Sequence, residues 1–346
     1  MKVLFIGGTG VISEAVSRLA VTGGIELYLL NRARSSPVFP EGAHLLQGDI
    51  REPEKIKELL KNQEFDVVVD WITFTPEQAG IDIELFRGKT GQYIFISSAS
   101  VYQRPVRHYL ITEATPLDNP YWQYSRDKIA CEETLMAEYR QTGFPVTIVR
   151  PSHTYGNMRI PAGVTSSTKP WTLIDRIRKG KQIIIHGDGN SLWVMTHNTD
   201  FAKGFIGLLG NVQAIGQAFH ITSDEVLTWN QIYQAIGKAA GAEIRPIYIP
   251  STFLATVLPG AEGSLIGDKA TSVVFDNSKI KRYVPDFAAT VPFAAGVDRT
   301  INWFESHHNY CGVDEEWNRR IDCIIDHYGA AVTAAGLAIR SQFSVD

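Results

Sequence analysis

Tyr124 and Lys128 stand four residues apart in Tyr124-Ser125-Arg126-Asp127-Lys128, at the start of a long helical pattern. Of the thirteen tyrosines, this is the only one followed at that distance by a lysine. Four residues is a little over one helical turn, so both side chains project from one face. An ammonium beside a phenol favours the phenolate, which suits Tyr124 to exchange a proton near neutral pH. Spacing alone reads equally well as a chance pair on an exposed helix, so the elements around the pair must decide.

Through the first 150 residues, β-rich runs alternate with amphipathic ones. Strands are expected at 2–6, 26–30, 44–47, 66–71, 93–97 and 146–150, and helices at 13–22, 54–61, 76–86 and 123–142. Val67-Val68-Val69 and Ile94-Phe95-Ile96 are apolar throughout, as strands covered on both faces must be. The alternation predicts an α/β fold, a doubly wound parallel sheet. After Pro151 the rhythm breaks. We expect a dinucleotide-binding domain of residues 1–150 and 198–222, a smaller substrate-binding lobe of 151–197 and 223–308, and a helical extension at 309–346.

Gly7-Gly8-Thr9-Gly10-Val11-Ile12-Ser13 joins the first strand directly to the first helix. Glycines let the backbone turn tightly against a pyrophosphate, whose charge the helix N-terminus favours. Gly7, Gly10, Val11 and Ile12 are therefore cofactor-binding candidates, and Ser13 is small enough for the third glycine place. The second strand runs into Asn31-Arg32-Ala33-Arg34-Ser35-Ser36. An acid here would select NAD(H), whereas Arg32, Arg34 and two hydroxyls suit the 2′-phosphate of NADP(H). NADP is thus favoured over NAD; flexible surface arginines are the plain alternative. Asp49-Ile50 follows the third strand, where Asp49 could accept from the adenine amino group.

With Phe95-Ile96-Ser97-Ser98-Ala99-Ser100-Val101-Tyr102 and Arg150-Pro151-Ser152-His153-Thr154-Tyr155-Gly156, these motifs resemble the extended short-chain dehydrogenase/reductases, the NAD(P)-dependent epimerase/dehydratase family. The resemblance covers roughly residues 1–304. The turn also looks like that of an atypical subgroup, some of whose members were described as chloroplast RNA-binding proteins. The resemblance implies that Ser98, four residues before Tyr102, bonds the reacting oxygen. It also implies that Tyr124 transfers the proton and that Lys128 binds the nicotinamide ribose. Ser97 is the runner-up for the serine role, and Ser100 is read as structural.

The chain departs from the family pattern in three respects. Ala99-Ser100 replace the Asp-Glu pair of the dehydratases, which removes the acid and base for eliminating water. His153 stands where epimerases carry a substrate-contacting asparagine; it contacts substrate or packs within its loop. Trp193 stands where an arginine clamps the nucleotide diphosphate. An indole can stack on a sugar face or base, or pack in a core, but it cannot neutralise phosphate. Arg159 and Arg178 could supply charge instead.

The formal charge of -4 gives no basic footprint for nucleic acid or an anionic membrane. Cys131, Cys311 and Cys323 are scattered and point to a reducing compartment, without a disulfide framework or zinc site. The first apolar run ends at Gly7, too early for a signal-peptide core. No segment approaches the roughly 18 apolar residues of a membrane span. A cytoplasmic enzyme is expected, with a sugar-type substrate, no metal, and a homodimer compatible with the reading. His307-His308 near Asp314 and Glu315 read as a solvated helix end.

Three functions remain. The first is an epimerase oxidising and re-reducing a ring carbon of a sugar or sugar nucleotide. The second is an NADPH-dependent ketoreductase or dehydrogenase of a sugar-like or secondary-metabolite substrate. The third is a non-catalytic nucleotide- or RNA-binding protein.

Overall fold

The computed structural model describes residues 1–32 and 39–343. Arg34, Ser35 and Ser36 lie outside the described residues. A seven-stranded, wholly parallel sheet is built from β1 (Lys2–Ile6), β2 (Glu26–Asn31), β3 (His44–Gln47), β4 (Phe65–Asp70), β5 (Thr90–Ile96), β6 (Val146–Val149) and β7 (Ala218–Phe219). Its order is β7-β6-β5-β4-β1-β2-β3. The order reverses between β1 and β4, which opens the crevice where doubly wound sheets bind ligands.

Helices α1 (Ser13–Thr22), α2 (Pro53–Leu59), α3 (Pro76–Phe86), α4 (Gln123–Thr142) and α5 (Asn198–Ile206) cover the two faces. Successive strand residues point to opposite sides, and β1 shows it. Val3 and Phe5 pack with Val16 of α1 and Phe201 and Phe205 of α5. Leu4 and Ile6 pack with Ile56, Ile83 and Leu135 of α2, α3 and α4. Each fully buried aliphatic or Phe side chain contributes about 1.5–3 kcal/mol. Such a core can carry polar groups that function requires.

The chain forms two compact units. The first comprises 1–156, 193–226 and 272–293, and the second 157–192, 227–271 and 294 onward. Two long segments therefore fall elsewhere than sequence rhythm suggests, and the short stretches 151–156, 193–197 and 223–226 also join the first unit. Residues 272–293 return to the first unit because Val274–Phe275 pair with Leu110–Ile111 and Asn277 bonds Thr222 and Ser223. The C-terminal helix Glu315–Phe343 is no separate extension over its first half. Its Ile321, Ile324 and Ile325 join Ile184, Ile249 and Leu254 in the second unit's core, and Arg176 there pairs with Asp322 at 2.7 Å.

Helix α4 turns Ser125, Lys128, Cys131, Glu132 and Leu135 inward. Burying Glu132 is tolerable because Arg150 grips it with two charge-assisted bonds of 2.9 and 2.6 Å, its guanidinium lying 5.0 Å over the Tyr102 ring. The pair joins α4 to the end of the sixth strand. Replacing Glu132 by Leu should destabilise the protein by about 3–5 kcal/mol in urea unfolding, since Arg150 would be buried alone. A loss below about 1 kcal/mol would show the pair to be dispensable.

Candidate active site

The turn after β1 is set by backbone geometry. Gly7 and Gly8 have φ of +95° and +89°, and a Cβ on Gly8 would lie 2.8 Å from Leu29. Only glycine takes that conformation and that approach cheaply. Ser13 Oγ accepts from the Gly10 N–H at 2.8 Å, and buried Ser17 donates to the Gly8 carbonyl at 2.8 Å. Across from them, Asn198 donates to the Val11 carbonyl at 2.8 Å. Its side chain lies against Gly156, where an added Cβ would fall 2.3 Å from the amide nitrogen. That contact explains the glycine closing the Arg150–Gly156 motif. Val11 and Ile12 are half-buried, and no side chain among the described residues caps the N-terminus of α1. A tight glycine turn feeding an uncapped helix fits a pyrophosphate.

At the end of β2, Asn31 donates to Thr9 at 3.3 Å, bracing the same turn. Arg32 is exposed, with its guanidinium 3.8 Å from Asp49. Asp49 also accepts the Arg51 N–H at 3.1 Å, and Ile50 beneath it is buried. The structure thus brings Asn31, Arg32 and Asp49 to the rim beside the glycine turn.

Lys128 is 1 % exposed. Its ammonium donates to the Thr73 carbonyl at 2.6 Å and the Ile96 carbonyl at 2.7 Å, at the ends of β4 and β5. It sits 4.6 Å from the Phe74 ring centroid, 4.7 Å from that of Phe95 and 5.9 Å from that of Tyr124. Burial lowers its pKa to about 8, against the opposing charge of Asp70. Tyr124 is half-buried between Trp122, 5.1 Å away, and Phe74, 6.2 Å away. Tyr121 is also half-buried.

Ser98 stands two residues beyond the fifth strand and caps the single turn Ala99–Val101. Its Oγ lies 2.9 Å from that of Ser100, which accepts from Ser125 at 2.8 Å. Buried Asn119 donates to the Ser100 carbonyl at 2.7 Å and to Ser125 at 3.3 Å. A chain of hydroxyls therefore ties Ser98 to the residue beside Tyr124. Ser98 is half-buried. Ser97 is 3 % exposed, and its hydroxyl meets no partner among the described residues.

The Ala99 N–H bonds the Pro151 carbonyl at 2.8 Å, bringing the Ser98 turn to the start of the strand His153–Tyr155. His153 is half-buried there, and Trp193 donates its indole N–H to His153 Nδ1 at 3.2 Å. While Nδ1 accepts, a neutral imidazole carries its proton on Nε2. Trp193 itself is 2 % exposed, its ring edge-on to His153 at 6.3 Å. It presents little surface for stacking and instead orients the histidine. In the second unit, Arg178 bonds the Ala240 carbonyl and pairs with Glu305, while Arg159 is exposed.

Sequence reasoning missed Asn198, Ser17, Asn119 and Asp70. Asn198 lies 42 residues beyond Gly156, and no spacing rule links them. Asp70 had a signal, an acid directly after the apolar run Val67-Val68-Val69.

Residues 83–222 match the NAD dependent epimerase/dehydratase family. The 2′-dehydrokanamycin reductase of Streptomyces kanamyceticus is 25% identical over 83% of this chain and 80% of its own length. A chloroplast stem-loop binding protein of Arabidopsis thaliana is 26% identical over 69% of this chain, which spans 63% of that protein. Among solved structures, UDP-glucose 4-epimerase of Thermotoga maritima with UDP-glucose aligns at a TM-score of 0.72 and 18% identity, over 89% of this chain and all of its own. The dTDP-glucose 4,6-dehydratase of Bacillus anthracis in complex with NAD aligns at 0.72 and 19%, over 89% of this chain and 98% of its own. Through residues 83–222, the chain is thus similar to the NAD dependent epimerase/dehydratase family, and its fold is that of the solved epimerase and dehydratase structures.

Proposed function

We propose that this chain catalyses nicotinamide-dependent hydride transfer at a ring hydroxyl or ketone of a sugar-type substrate, with Tyr124 exchanging the proton at the reacting oxygen. The observation that carries the reading is buried Lys128, one helical turn from Tyr124 and held by the carbonyls of Thr73 and Ile96. A lysine buried without a carboxylate bonded to its ammonium is costly, and perturbed groups of this kind cluster at functional sites.

When bound, the nicotinamide supplies or takes up the hydride. The glycine turn and the N-terminus of α1 would hold the pyrophosphate, and Lys128 the ribose. Protonated Lys128 favours the phenolate of Tyr124, so the phenol can both give and take a proton. Ser98, fixed by Ser100, would donate to the substrate oxygen. His153, oriented by Trp193, would present Nε2–H to a substrate hydroxyl. Ala99 and Ser100 supply no acid or base for eliminating water.

Net reduction of a substrate without a nucleotide is the favoured outcome. It is supported by Trp193, an uncharged side chain turned to His153, and by likeness to a protein named as a dehydrokanamycin reductase. Epimerisation uses the same three residues and is the second reading, supported by the family match. A dinucleotide that copurifies and does not exchange with bulk NADPH would favour the epimerase; free exchange would favour the reductase.

Tyr124→Phe should keep the fold and dinucleotide affinity but slow turnover by about 10²–10⁴-fold, followed as NADPH oxidation against keto-sugars and keto-aminoglycosides. Near wild-type turnover would remove Tyr124 from the chemistry. Arg32 is assigned to the 2′-phosphate. Arg32→Ala should weaken NADPH by about 10- to 100-fold in fluorescence titration, the worth of one hydrogen bond to a charged group, and leave NADH little changed. Equal effects on both would reject the NADP preference.

A further inference from the structure

Beneath Lys128 lies a buried pair of carboxylates that the reaction outlined above does not use. Asp70 and Asp82 are 0 % and 1 % exposed. Asp70 ends β4, and one of its oxygens accepts the N–H groups of Ile72 and Thr73 at 2.6 and 2.7 Å. Its other oxygen lies 3.0 Å from the Thr73 hydroxyl. This closes the turn whose next carbonyl, that of Thr73, receives the Lys128 ammonium. The same turn abuts the phosphate-binding loop, for a Cβ on Gly7 would lie 3.0 Å from Ile72.

The Thr73 hydroxyl also lies 2.9 Å from Asp82, whose same oxygen is 2.6 Å from the Tyr93 hydroxyl. A hydroxyl carries one proton, so Thr73 can donate to only one of the two acids and must accept from the other. Two carboxylates sharing a buried site cannot both ionise cheaply. Asp70 has three donors directed at it, the fuller set of the two. Asp82, on α3, is pushed well above the ordinary carboxylate range by burial and then by the charge of Asp70.

We propose that Asp70 is the positioning residue for Lys128: it builds the Thr73 turn that receives the ammonium and faces it with its carboxylate, while Asp82 carries the pair's single proton. The inference rests on reading Lys128 as a dinucleotide ligand. Tyr93 on β5 is pushed well up by burial and by both acids, and Cys131 on α4 is pushed up to about 12, so both are neutral. Glu132, on the helix of Lys128, is paired with Arg150.

The bond from Lys128 to a ribose needs the protonated amine, so it is present below the pKa of about 8 and lost above it. Removing the charge of Asp70 removes the leading influence that raises this pKa, which then falls further.

The test measures the affinity of the full-length protein for NADPH against pH, with NADH alongside to separate titration of the 2′-phosphate. Wild-type affinity for both should fall through pH 8. In Asp70→Asn the midpoint should drop by about one unit, equivalent to about tenfold weaker binding at pH 8. Asp82→Asn should keep the wild-type midpoint. Infrared spectra at neutral pH should show a protonated-carboxyl band in wild type and Asp70→Asn that Asp82→Asn lacks.

A folded Asp70→Asn with the wild-type midpoint overturns the proposal, and so does a wild type without the carboxyl band. If Asp70→Asn does not fold, the wild-type midpoint and the Asp82→Asn spectrum still decide. A wild type that binds neither dinucleotide would instead overturn the parent reading, and this inference with it.

Discussion

One buried ammonium organises the first unit. Lys128 is drawn to the Thr73 and Ile96 carbonyls, which leave the sheet where β4 and β5 end. Those two bonds fix where α4 lies over the sheet and so where Tyr124, one turn earlier, presents its phenol. A lysine at 1 % exposure needs such partners, because an unpaired buried charge costs several kcal/mol. The helix carries a second inward charge, Glu132, one turn further on, and Arg150 answers it. Two polar anchors on one buried face set rotation and register together, which an apolar stripe alone would set more loosely.

The rest of the site is braced in the same manner, by polar contacts between distant parts of the chain. Asn198 reaches the Val11 carbonyl across Gly156, coupling the phosphate-type turn to the strand that carries His153. Ser98 is coupled to α4 through Ser100 and Ser125, and His153 to Trp193. In each case the residue facing the site is half-buried while its support is buried, the division expected where geometry must be held during chemistry.

Much of this was legible in the sequence. The first six strands of the sheet announce themselves as short apolar runs between turn residues, and α1, α3 and α4 run over the residues their periodicity predicts. The start of the fifth strand was hidden. It begins at Thr90 and includes Gln92, a polar residue that reads as loop. Its amide is satisfied by Thr147, the Leu208 carbonyl and the Gly210 N–H, none of them near in sequence. The seventh strand, two residues long, has too few side chains for any period. Contacts such as Asn198 to Val11 depend on three-dimensional closure alone. Trp193 was legible as a departure from the family pattern, but not its orientation, because an indole's partner follows from packing rather than spacing.

The proposed hydride transfer requires Lys128 and Tyr124 to face a nicotinamide. A crystal structure of the protein soaked with NADP⁺ tests that most directly. The expected complex has the pyrophosphate at the Gly7–Gly10 turn and the nicotinamide ribose within hydrogen-bond distance of Lys128, whose bonds to Thr73 and Ile96 persist, with the Tyr124 hydroxyl beside the nicotinamide ring. Dinucleotide bound elsewhere, or bound with Lys128 and Tyr124 out of contact, would contradict it.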